Sequence, residues 1–524
     1  MHSLDHVFRE KASRLGDRVF IYFQDRKITY EGFARMVSAY AGLFDSLGIG
    51  KGERVALLLP NSPHYLAAWF GLARLGALLV AVNTQLRGDS LRNVLALTNP
   101  RMVLVEDRFA GAVQEISPKV AGLSIYRHLS EGDPVGRVWD GLTDREIALP
   151  GRRHIEDQAC WKDPLIITFT SGTTGMPKGV VNSHHAYITA GRDLAQICRI
   201  GPEDRLYTFL PLYHANPQAY CVMGCLAAEA SLVLAERFSA SGFWKDVAKY
   251  GATLFSYVGA VLPILLKQPE RPEEKRHTIR ACFGGGAPEP IFRSAQERFG
   301  IDVLELYGMS ETGTFKTINR PGKLRCGTVG TVRPGFDVRI FDDNDMEVPT
   351  GQVGEIVVRP LSPHIMFEGY FNQPEATLEC YRNLWFHTGD LGRVDEEGYF
   401  TFVGRKKESI RRGGENIAPL EIEKVLDKHP AVLESAVIGI PSALMGQEIK
   451  AFVVLQKGHE ISIGELVDWC RQRLAQFMVP RYWKLLPGLP KTGSQKIQKG
   501  VLSEKPFGQC WDAKLGKWVQ APED

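Results

Sequence analysis

The chain has 524 residues, which is too long for one ordinary hydrophobic core, so its length predicts two or more domains. Hydrophobic residues make up 44% of the chain and charged residues 23%, which is the balance of a soluble globular enzyme. Lysine and arginine total 63 against 60 acidic residues, and the resulting net charge of +3 argues against a nucleic-acid partner.

The N-terminal segment and the longest apolar run both argue against a membrane-bound protein. Residues 1–6 lack the basic stretch and apolar core of a secretory signal. The apolar run 66–82 is interrupted by Arg74 and two glycines, whereas a membrane span needs about 20 apolar residues. The nine cysteines form no CxxC pair, which is typical of free thiols in a reducing compartment. We therefore predict a cytoplasmic protein without a membrane span.

Strand-like and helix-like segments alternate from residue 19 to about residue 152. Apolar residues recur with a helical period over 31–47. Segments 54–59 and 77–82 are short apolar runs typical of buried strands, and a helix is predicted between them over 65–75. This order predicts parallel or mixed sheets covered by helices, so the fold class of the large N-terminal part is α/β.

A polar, glycine-rich loop follows the apolar strand predicted at 165–169. Hydroxyl groups, backbone N–H groups freed by glycine and a lysine suit the oxygens of a polyphosphate. A P-loop is excluded, because it needs glycine where Pro177 stands and serine or threonine where Gly179 stands. A plain surface turn is the remaining alternative. The residues assigned to phosphate binding are Thr170, Ser171, Gly172, Thr173, Thr174 and Lys178.

The loop 170–179 resembles that of the adenylate-forming (ANL) superfamily, which includes acyl-CoA synthetases, luciferases and the adenylation domains of peptide synthetases. In that family the loop holds the β- and γ-phosphates of ATP. The motifs that follow extend the resemblance over nearly the whole chain. The segments around 213–214 and 367–371 also resemble those of AMP-forming CoA ligases of the crotonobetaine/carnitine type.

Segment 211–216, Pro-Leu-Tyr-His-Ala-Asn, places an aromatic residue and a histidine after a predicted strand. In the family such a pair lies beside the acyl carboxylate and the thiol tunnel, so the resemblance makes Tyr213 an acyl-pocket residue and His214 a catalytic residue. A structural histidine is the alternative. Adenylation domains of peptide synthetases have an aspartate at the histidine's place, and its absence here argues against an amino acid substrate.

Two further predicted strands end in motifs of the family. The glycines of 284–287 allow a flat ligand to approach the backbone. Segment 307–312, Tyr-Gly-Met-Ser-Glu-Thr, offers a ring for adenine and a carboxylate for a metal ion. The resemblance assigns adenine stacking to Tyr307, Mg²⁺ to Glu311 and catalysis to Thr312. It adds to the ATP-binding residues Gly286, Ala287, Gly308 and Met309.

The acyl pocket is expected between these motifs. Its expected lining is mostly apolar or small, which suits a hydrophobic or uncharged acyl chain. The assigned residues are Tyr213, Phe255, Tyr257, Gly284 and Gly285. The likeness to carnitine-type ligases leaves a second option open, because a trimethylammonium group needs an aromatic cage. Such a cage could be formed by Tyr213, Tyr220, Phe255 and Tyr257.

Short strands punctuated by glycine over about 327–404 predict a small barrel or twisted sheet at the end of a large domain, 1–404. By resemblance, Asp390 and Arg405 bind the ribose hydroxyls, and an Asx turn is the alternative for the aspartate. The same resemblance makes 405–409 a hinge that pivots at Lys407.

Residues 410–524 are predicted to form a small, mobile α+β domain. In the family, a glycine at its start lines the tunnel for the pantetheine arm. A lysine near its end, before an isoleucine in a loop rich in Thr, Ser and Gly, reaches the reacting carboxylate. These residues are Gly414 and Lys496. Gln495 departs from the family pattern, which usually has glycine there, but the lysine itself is kept.

The resemblance implies that a carboxylic acid is joined to AMP, with ATP and Mg²⁺, and then transferred to coenzyme A. A carrier protein as acceptor and a luciferase-like monooxygenase stay open. A non-catalytic nucleotide-binding homologue is a further alternative, against which Lys496, Glu311 and Asp390 argue. A homodimer also stays open.

Overall fold

The computed structural model describes residues 1–116, 124–128, 141–142, 155–170, 177–412, 415–442, 446–491, 497–504 and 509–520. Strands and helices alternate in the first part of the chain, as the sequence predicts. Their bounds are α1 (Leu4–Leu15), β1 (Val19–Phe23), β2 (Arg26–Thr29), α2 (Tyr30–Ser46), β3 (Arg54–Leu58), α3 (Pro63–Arg74), β4 (Leu78–Ala81), α4 (Gly88–Thr98), β5 (Met102–Glu106), α5 (Asp107–Ile116), β6 (Ser124–His128), β7 (Gly141–Leu142) and β8 (Pro164–Thr170).

The middle of the chain continues this alternation and adds a π-helix at Asn216–Val222 and a 3₁₀ turn at Pro272–Lys275. Its other elements are β9 (Lys178–Ser183), α6 (His184–Ile197), β10 (Arg205–Thr208), α7 (Met223–Ala228), β11 (Ser231–Leu234), α8 (Phe243–Tyr250), β12 (Leu254–Val258), α9 (Val261–Leu266), β13 (Ala281–Gly285), α10 (Glu289–Phe299), β14 (Asp302–Met309) and β15 (Thr314–Ile318).

Shorter strands dominate the rest of the chain, which also holds 3₁₀ turns at Lys406–Glu408 and Gln476–Met478. The elements before the first of these turns are β16 (Thr331–Val332), β17 (Phe336–Phe341), β18 (Gly354–Pro360), β19 (Gly369–Tyr370), α11 (Pro374–Leu378), β20 (Tyr381–Arg382), β21 (Trp385–Val394) and β22 (Phe400–Arg405). After it come β23 (Ile410–Arg412), β24 (Glu415–Ile417), α12 (Pro419–Leu426), β25 (Val432–Ser442), β26 (Gly446–Leu455), α13 (Ile463–Arg471), β27 (Tyr482–Leu485), α14 (Lys499–Glu504), β28 (Gln509–Asp512) and β29 (Lys517–Gln520).

Two large mixed sheets form the body of the N-terminal part. The first has the strand order β19-β9-β8-β4-β3-β5-β6-β7, and β8 pairs antiparallel with β9 and parallel with β4. The second has the order β16-β15-β14-β13-β12-β10-β11-β1-β2, with parallel strands from β14 to β1 and antiparallel strands at both edges. These sheets confirm the predicted α/β class.

Helices α1, α2, α3, α6 and α7 fill the space between the two sheets, where Trp69 packs in the same core as Leu57 of β3 and Leu206 of β10. The outer face of the first sheet is covered by α4 and α5, and that of the second sheet by α8, α9 and α10. The large domain therefore has five layers that alternate between helices and sheets.

Helix α2 shows how the sequence sets this packing. The Thr29 hydroxyl accepts a hydrogen bond from the Gly32 N–H and caps the helix at its first turn. An added Cβ at Gly71 of α3 would lie 2.9 Å from the Ala41 nitrogen, so the glycine permits α3 to cross α2 closely. The predicted inward face is buried and consists of Phe33, Val37, Tyr40, Ala41 and Phe44.

A smaller antiparallel sheet, β17-β18-β21-β20 with β22 paired to β21, forms the curled sheet predicted over 327–404. Its core contains Ile356 and Phe386 together with Tyr307 from the second large sheet and Val180 from the first. The small sheet therefore packs against both large sheets.

The small domain is built on the sheet β24-β23-β26-β27-β28-β29, with β25 paired to β26. Helices α12 and α13 cover one face, where Ile422 packs with Val437, and Ile497 packs on the other face beside Phe452. Strands β28 and β29 form a hairpin that the sequence did not predict. The α+β class is confirmed, whereas the domain bounds 1–404, 405–409 and 410–524 stay predictions.

Within the described ranges, no helix is long and apolar enough to cross a bilayer. All nine cysteines are free thiols.

Candidate active site

The predicted phosphate loop joins two antiparallel strands. Strand β8 ends at Thr170 and β9 begins at Lys178, and these two residues face each other in the register of the pair. The Lys178 ammonium lies 4.7 Å from the centroid of the Tyr370 ring. The base of the loop therefore presents a hydroxyl group and a positive charge together. Four predicted loop residues lie outside the described residues: Ser171, Gly172, Thr173 and Thr174.

Glu311 is a buried carboxylate next to this loop base. Its Oε1 atom accepts hydrogen bonds from the Thr170 hydroxyl at 3.2 Å and the Tyr370 hydroxyl at 3.1 Å. Its Oε2 atom is buried and has no hydrogen-bond partner in the part of the chain that the structure describes. Burial raises the pKa of this carboxyl, and the hydrogen bonds together with the Lys178 charge oppose the rise. An unsatisfied buried oxygen is costly, so a cation at Oε2 would stabilise the site.

The Glu311 oxygen fits a magnesium ion better than a metal held by protein ligands alone. Among the described residues, no group of three or more His, Cys, Asp or Glu side chains could hold a metal ion. Mg²⁺ commonly binds to one or two carboxylates and takes its remaining ligands from substrate phosphates and water. A lone carboxylate oxygen beside a phosphate loop matches that requirement.

The turn between β14 and β15 fixes the position of Thr312. Its fully buried hydroxyl lies 3.1 Å from the carbonyl oxygen of Met309 and 2.8 Å from that of Thr314. Gly308 has no room for a side chain, because an added Cβ would lie 2.2 Å from the carbonyl oxygen of Thr314. The backbone of this motif is therefore held tightly by its own turn.

A buried ion pair supports this turn from behind. The Arg333 Nε donates to Asp193 Oδ2 at 2.8 Å, and its Nη1 lies 3.3 Å from the carbonyl oxygen of Phe315. Both charged side chains are buried. Removing one partner of such a pair leaves an unpaired buried charge, which is strongly destabilising. The pair thus fastens β15 to α6 and holds the turn 310–313 in place.

Tyr307, Asp390 and Arg405 meet where β14 reaches the small sheet. The Tyr307 hydroxyl donates to Asp390 Oδ2 at 2.8 Å, and its ring lies against Phe402 with a centroid distance of 5.9 Å. The Arg405 Nε lies 3.7 Å from Asp390 Oδ1. Burial raises the pKa of Asp390 to about 6, while the Tyr307 hydrogen bond and the Arg405 charge limit the rise. The structure thus brings the carboxylate predicted to bind the ribose next to the tyrosine ring predicted to stack on the adenine.

Glu305 holds the glycine-rich turn after β13. Its carboxylate accepts hydrogen bonds from the N–H groups of Gly286 at 2.5 Å and Ala287 at 3.1 Å, and from the Tyr257 hydroxyl. Burial raises the pKa of Glu305 to about 7 in spite of these hydrogen bonds. The sequence analysis missed this residue. The sequence does carry a signal for it, because Glu305 is a lone carboxylate in an apolar strand. It stands two residues before Tyr307 and therefore lies on the same face of β14 as that residue.

The Gly286 position needs glycine for two reasons. Its φ is +99°, which side chains rarely adopt, and an added Cβ would lie 2.8 Å from the Gly259 Cα. At Gly284 an added Cβ would lie 2.1 Å from the carbonyl oxygen of Tyr257. These contacts bring the ends of β12 and β13 close together, and Glu305 secures the turn that follows.

The four residues of the predicted aromatic cage are divided between two sides of the second sheet. Tyr213 and Tyr220 belong to the core between the sheets, whereas Phe255 and Tyr257 belong to the outer core under α8. Phe255 and Tyr257 lie two residues apart on β12 and therefore share its outer face, whereas Tyr213 and Tyr220 follow β10 in the segment between the two sheets. The structure therefore does not bring Phe255 and Tyr257 together with Tyr213, and one cage of all four is not formed.

His214 is exposed next to Tyr213, and their ring centroids lie 4.6 Å apart. The histidine precedes the π-helix Asn216–Val222, which carries Tyr220. π-helical turns occur frequently at functional sites because they shift side chains out of the regular helical register. Tyr220 packs edge-on against Phe315, with a centroid distance of 5.5 Å, and so joins this segment to β15.

The small domain contacts the large one through α12 and the residues after it. The Lys424 ammonium donates to the carbonyl oxygen of Phe402 at 3.4 Å, and the Lys428 ammonium lies 3.7 Å from Glu289 Oε2. Lys407 is exposed in the 3₁₀ turn that follows β22. The predicted tunnel and catalytic residues of this domain lie outside the described residues; they are Gly414 and Lys496.

The residues that flank Lys496 are anchored within the small domain. Lys491 and Ile497 form an isolated bridge, and Lys491 pairs with Glu434 at 2.6 Å. Ile497 packs on the sheet face opposite α12. The face that carries α12 and the face that carries this bridge are therefore different.

Comparisons with known proteins find relatives over nearly the whole chain. The sequence model described as AMP-binding enzyme matches residues 8–371, and that described as AMP-binding enzyme C-terminal domain matches residues 421–496. Crotonobetaine/carnitine–CoA ligase of Salmonella typhimurium is 33% identical over 506 residues, which cover 95% of this chain and 98% of that protein.

Solved structures of CoA ligases are also similar to nearly the whole chain. ATP-bound MatB from Rhodopseudomonas palustris is 29% identical, with a TM-score of 0.87 over 96% of this chain and 99% of that chain. The o-succinylbenzoate CoA synthetase from Bacillus subtilis, solved with its acyl-adenylate intermediate, is 27% identical, with a TM-score of 0.82 over 95% of this chain and 98% of that chain.

Proposed function

The chain belongs to the AMP-binding enzyme family and is an AMP-forming acyl-CoA ligase, and from that premise we propose how its residues share the reaction. The enzyme activates a carboxylic acid with ATP and passes the acyl group from the acyl-adenylate to coenzyme A. The observation that carries the proposal is the buried Oε2 of Glu311, which has no hydrogen-bond partner among the described residues and lies beside Thr170 and Lys178. This arrangement suits a metal-bound triphosphate.

In the first half-reaction, an oxygen of the substrate carboxylate attacks the α-phosphorus of ATP, and the bond to pyrophosphate breaks in line. The loop that begins at Thr170 and ends at Lys178 holds the β- and γ-phosphates. Glu311 would hold a Mg²⁺ ion, which would supply positive charge for the phosphate oxygens. Lys496 stabilises the charge that develops around the α-phosphate, a role in which one donor is worth about 3 kcal/mol. Thr312, whose buried hydroxyl is engaged by the carbonyl oxygens of Met309 and Thr314, positions the turn rather than donating to the phosphate.

The nucleoside is held by the residues at the end of β14. Tyr307 stacks on the adenine, and the backbone of the glycine-rich turn borders its edge. Asp390 accepts hydrogen bonds from the ribose hydroxyls, with Arg405 beside it. Because the pKa of Asp390 is about 6, the carboxylate form needed for this role dominates above that pH.

In the second half-reaction, the thiol of coenzyme A releases its proton to water, and its sulfur attacks the acyl carbonyl carbon. The bond from that carbon to the AMP oxygen then breaks, and AMP leaves. His214 lies beside the path of the thiol. The small domain rotates about Lys407 between the two steps, which removes Lys496 and brings Gly414 to the pantetheine arm.

The acid is an uncharged, largely apolar one. The wall next to Tyr213 contains Tyr220, which packs against the aromatic rings of Phe283 and Phe315. Such a wall favours an apolar acyl chain. Crotonobetaine and carnitine are the second candidate, because a ligase named for them is 33% identical to this chain. A carrier protein in place of coenzyme A remains a further acceptor to test.

The experiment is pyrophosphate release with ATP and Mg²⁺ across a panel of aliphatic and aromatic acids, crotonobetaine and carnitine. Each acid is assayed with coenzyme A, with a pantetheinylated carrier protein and with no acceptor. Acyl-CoA, AMP and pyrophosphate in equal amounts are the expected products. Oxygen-dependent light emission would support the monooxygenase alternative, and ATP binding without turnover of any acid would support the non-catalytic one.

A further inference from the structure

Tyr370 belongs to the segment 367–371, which has no assigned part in the reaction. Strand β19 carries this tyrosine and pairs antiparallel with β9, and Tyr370 faces Val180 in that register. Lys178 is two residues from Val180 and therefore lies on the same face of β9. The strand pairing thus sets the tyrosine ring diagonally across from the lysine at the base of the phosphate loop.

The side chain of Tyr370 makes two different contacts with the candidate site. The Lys178 ammonium lies over its ring, 4.7 Å from the ring centroid. Its hydroxyl donates a hydrogen bond to Glu311 Oε1 at 3.1 Å. One side chain therefore contacts both the cation assigned to the phosphates and the carboxylate assigned to the metal ion.

The backbone and the ring of Tyr370 are both held in place. The Tyr370 N–H donates to the Thr377 hydroxyl of α11 at 2.9 Å. The N–H groups of Glu368 and Phe371 donate to carbonyl oxygens of β9 at 2.8 and 2.7 Å. The tyrosine is buried, and its ring packs edge-on against Phe367 at a centroid distance of 5.4 Å. Packing and hydrogen bonds of this kind let a side chain fix the orientation of its neighbours.

The hydroxyl of Tyr370 determines which oxygen of Glu311 is open to a cation. Oε1 accepts hydrogen bonds from the Tyr370 and Thr170 hydroxyls. The buried Oε2 has no hydrogen-bond partner in the described part of the chain. Two donors on one oxygen orient the carboxylate so that the other oxygen is left for the metal ion. Loss of a hydrogen bond to a metal-binding side chain typically lowers metal affinity by about 10- to 100-fold.

The ring of Tyr370 restrains Lys178 in a different way. The face of an aromatic ring attracts an ammonium group through its negative charge density. A carboxylate in the same place would form an ion pair that an incoming phosphate would have to break. The aromatic contact therefore keeps the lysine at the base of the loop and does not use the N–H groups that phosphate oxygens need.

We propose that Tyr370 is a positioning residue with two separable roles: its hydroxyl orients Glu311 for Mg²⁺, and its ring orients Lys178 for the triphosphate. The proposal rests on the proposed function, which assigns the metal ion and the phosphates to these two residues. Removal of the hydroxyl alone affects only the contribution of the metal ion to ATP binding. Removal of the ring also weakens ATP binding in the absence of metal.

The test measures ATP binding to the full-length protein by calorimetry, with no acid present. Each protein is titrated once with saturating Mg²⁺ and once with a chelator in place of the metal. The ratio of the two dissociation constants is the factor by which Mg²⁺ tightens ATP binding, here termed the metal factor. Tyr370→Phe removes the hydroxyl and keeps the ring, and Tyr370→Leu removes both. Tyr381→Phe is the matched control, because Tyr381 stacks on the same Phe367 ring at a centroid distance of 6.2 Å.

For Tyr370→Phe we expect the metal factor to fall about 10-fold, with metal-free ATP binding within about 2-fold of the parent protein. For Tyr370→Leu we expect the same fall and, in addition, metal-free binding that is about 5-fold weaker. Tyr381→Phe should match the parent protein in both measurements. If thermal melting shows that Tyr370→Leu does not fold, Tyr370→Met takes its place, because methionine adapts to irregular gaps in a core.

A double variant distinguishes orientation of Glu311 from a general structural defect. If the hydroxyl acts through the Glu311 carboxylate, Glu311→Gln lowers the metal factor and the addition of Tyr370→Phe lowers it no further. An additive loss in the double variant, an unchanged metal factor in Tyr370→Phe, or the same loss in Tyr381→Phe would overturn the role of the hydroxyl. Parent-like metal-free binding in Tyr370→Leu or its substitute would overturn the role of the ring. Mg²⁺-independent ATP binding by the parent protein would refute the metal role of Glu311 in the proposed function, and the role of the hydroxyl with it.

Discussion

Replacing Glu305 by glutamine would test whether a buried carboxyl at the glycine-rich turn makes stability depend on pH. The glutamine oxygen can accept the hydrogen bonds of Gly286 and Ala287, and its NH₂ group can donate to the oxygen of Tyr257. The variant therefore keeps the shape and hydrogen bonds of the turn and removes only the titration. We expect it to fold as the parent protein does.

The size of the effect follows from the pKa of the carboxyl. Burial raises the pKa of Glu305 from 4.5 to about 7, so folding favours its protonated form. The stability that protonation contributes is fully present below pH 4.5 and is lost as the pH rises through 7. One pKa unit corresponds to about 1.4 kcal/mol, so the loss amounts to roughly 3 kcal/mol.

The assay is urea unfolding of the parent protein and of Glu305→Gln at several pH values from 5 to 8. The difference between the two proteins isolates this carboxyl, because the other titrating groups are shared. We expect the variant to gain roughly 2.5 kcal/mol relative to the parent over this range, with most of the gain between pH 5 and 7. A difference that does not change with pH would refute the assignment of a raised pKa to Glu305.

Four further substitutions test the proposed site. Glu311→Gln keeps a hydrogen-bond acceptor for Thr170 and Tyr370 but loses the negative charge. The Mg²⁺ concentration for half-maximal pyrophosphate release should therefore rise at least 10-fold, and an unchanged Mg²⁺ concentration would contradict the metal role. Gly308→Ala would place a methyl group 2.2 Å from the Thr314 oxygen, so thermal unfolding should show a loss of about 2 kcal/mol, and an unaltered melt would contradict the tight turn. Lys496→Ala should abolish adenylation but spare thioester formation from a supplied acyl-adenylate, and Gly414→Trp should do the reverse. Parallel losses in that pair would argue against separate roles for the two residues.

The fold class of the large domain could be predicted from the periodicity of its apolar residues. The inward face of α2 follows from spacing alone, and the alternation of strands and helices predicts parallel or mixed sheets covered by helices. That there are two such sheets comes from the structure. The small curled sheet was predictable because glycines separate its short strands. Sequence patterns of this kind are local, and each helix or strand forms over the same residues that carry its pattern.

Side-chain partners across strands could not be read from the sequence. Glu305 lies opposite Gly284 in the parallel pairing of β13 and β14, and that register decides which turn its carboxylate can reach. Phe255 and Tyr257 were grouped with Tyr213 in the candidate cage because all three are aromatic. Their separation depends on which face of β12 meets which helix layer, and a single strand does not encode that choice.

The C-terminal hairpin of β28 and β29 lies beyond residue 496, where the match to the family's C-terminal domain ends. It pairs with β27 and so moves the open edge of the sheet from β27 to β29, a strand of four residues that begins with Lys517. Short edge strands and lysines discourage pairing with other chains. An open edge is a template on which strands of other molecules can add, and it is a common start of aggregation. A chain shortened to the family boundary would therefore be at risk of self-association even with its chemistry intact, so these last strands protect the colloidal behaviour of the enzyme.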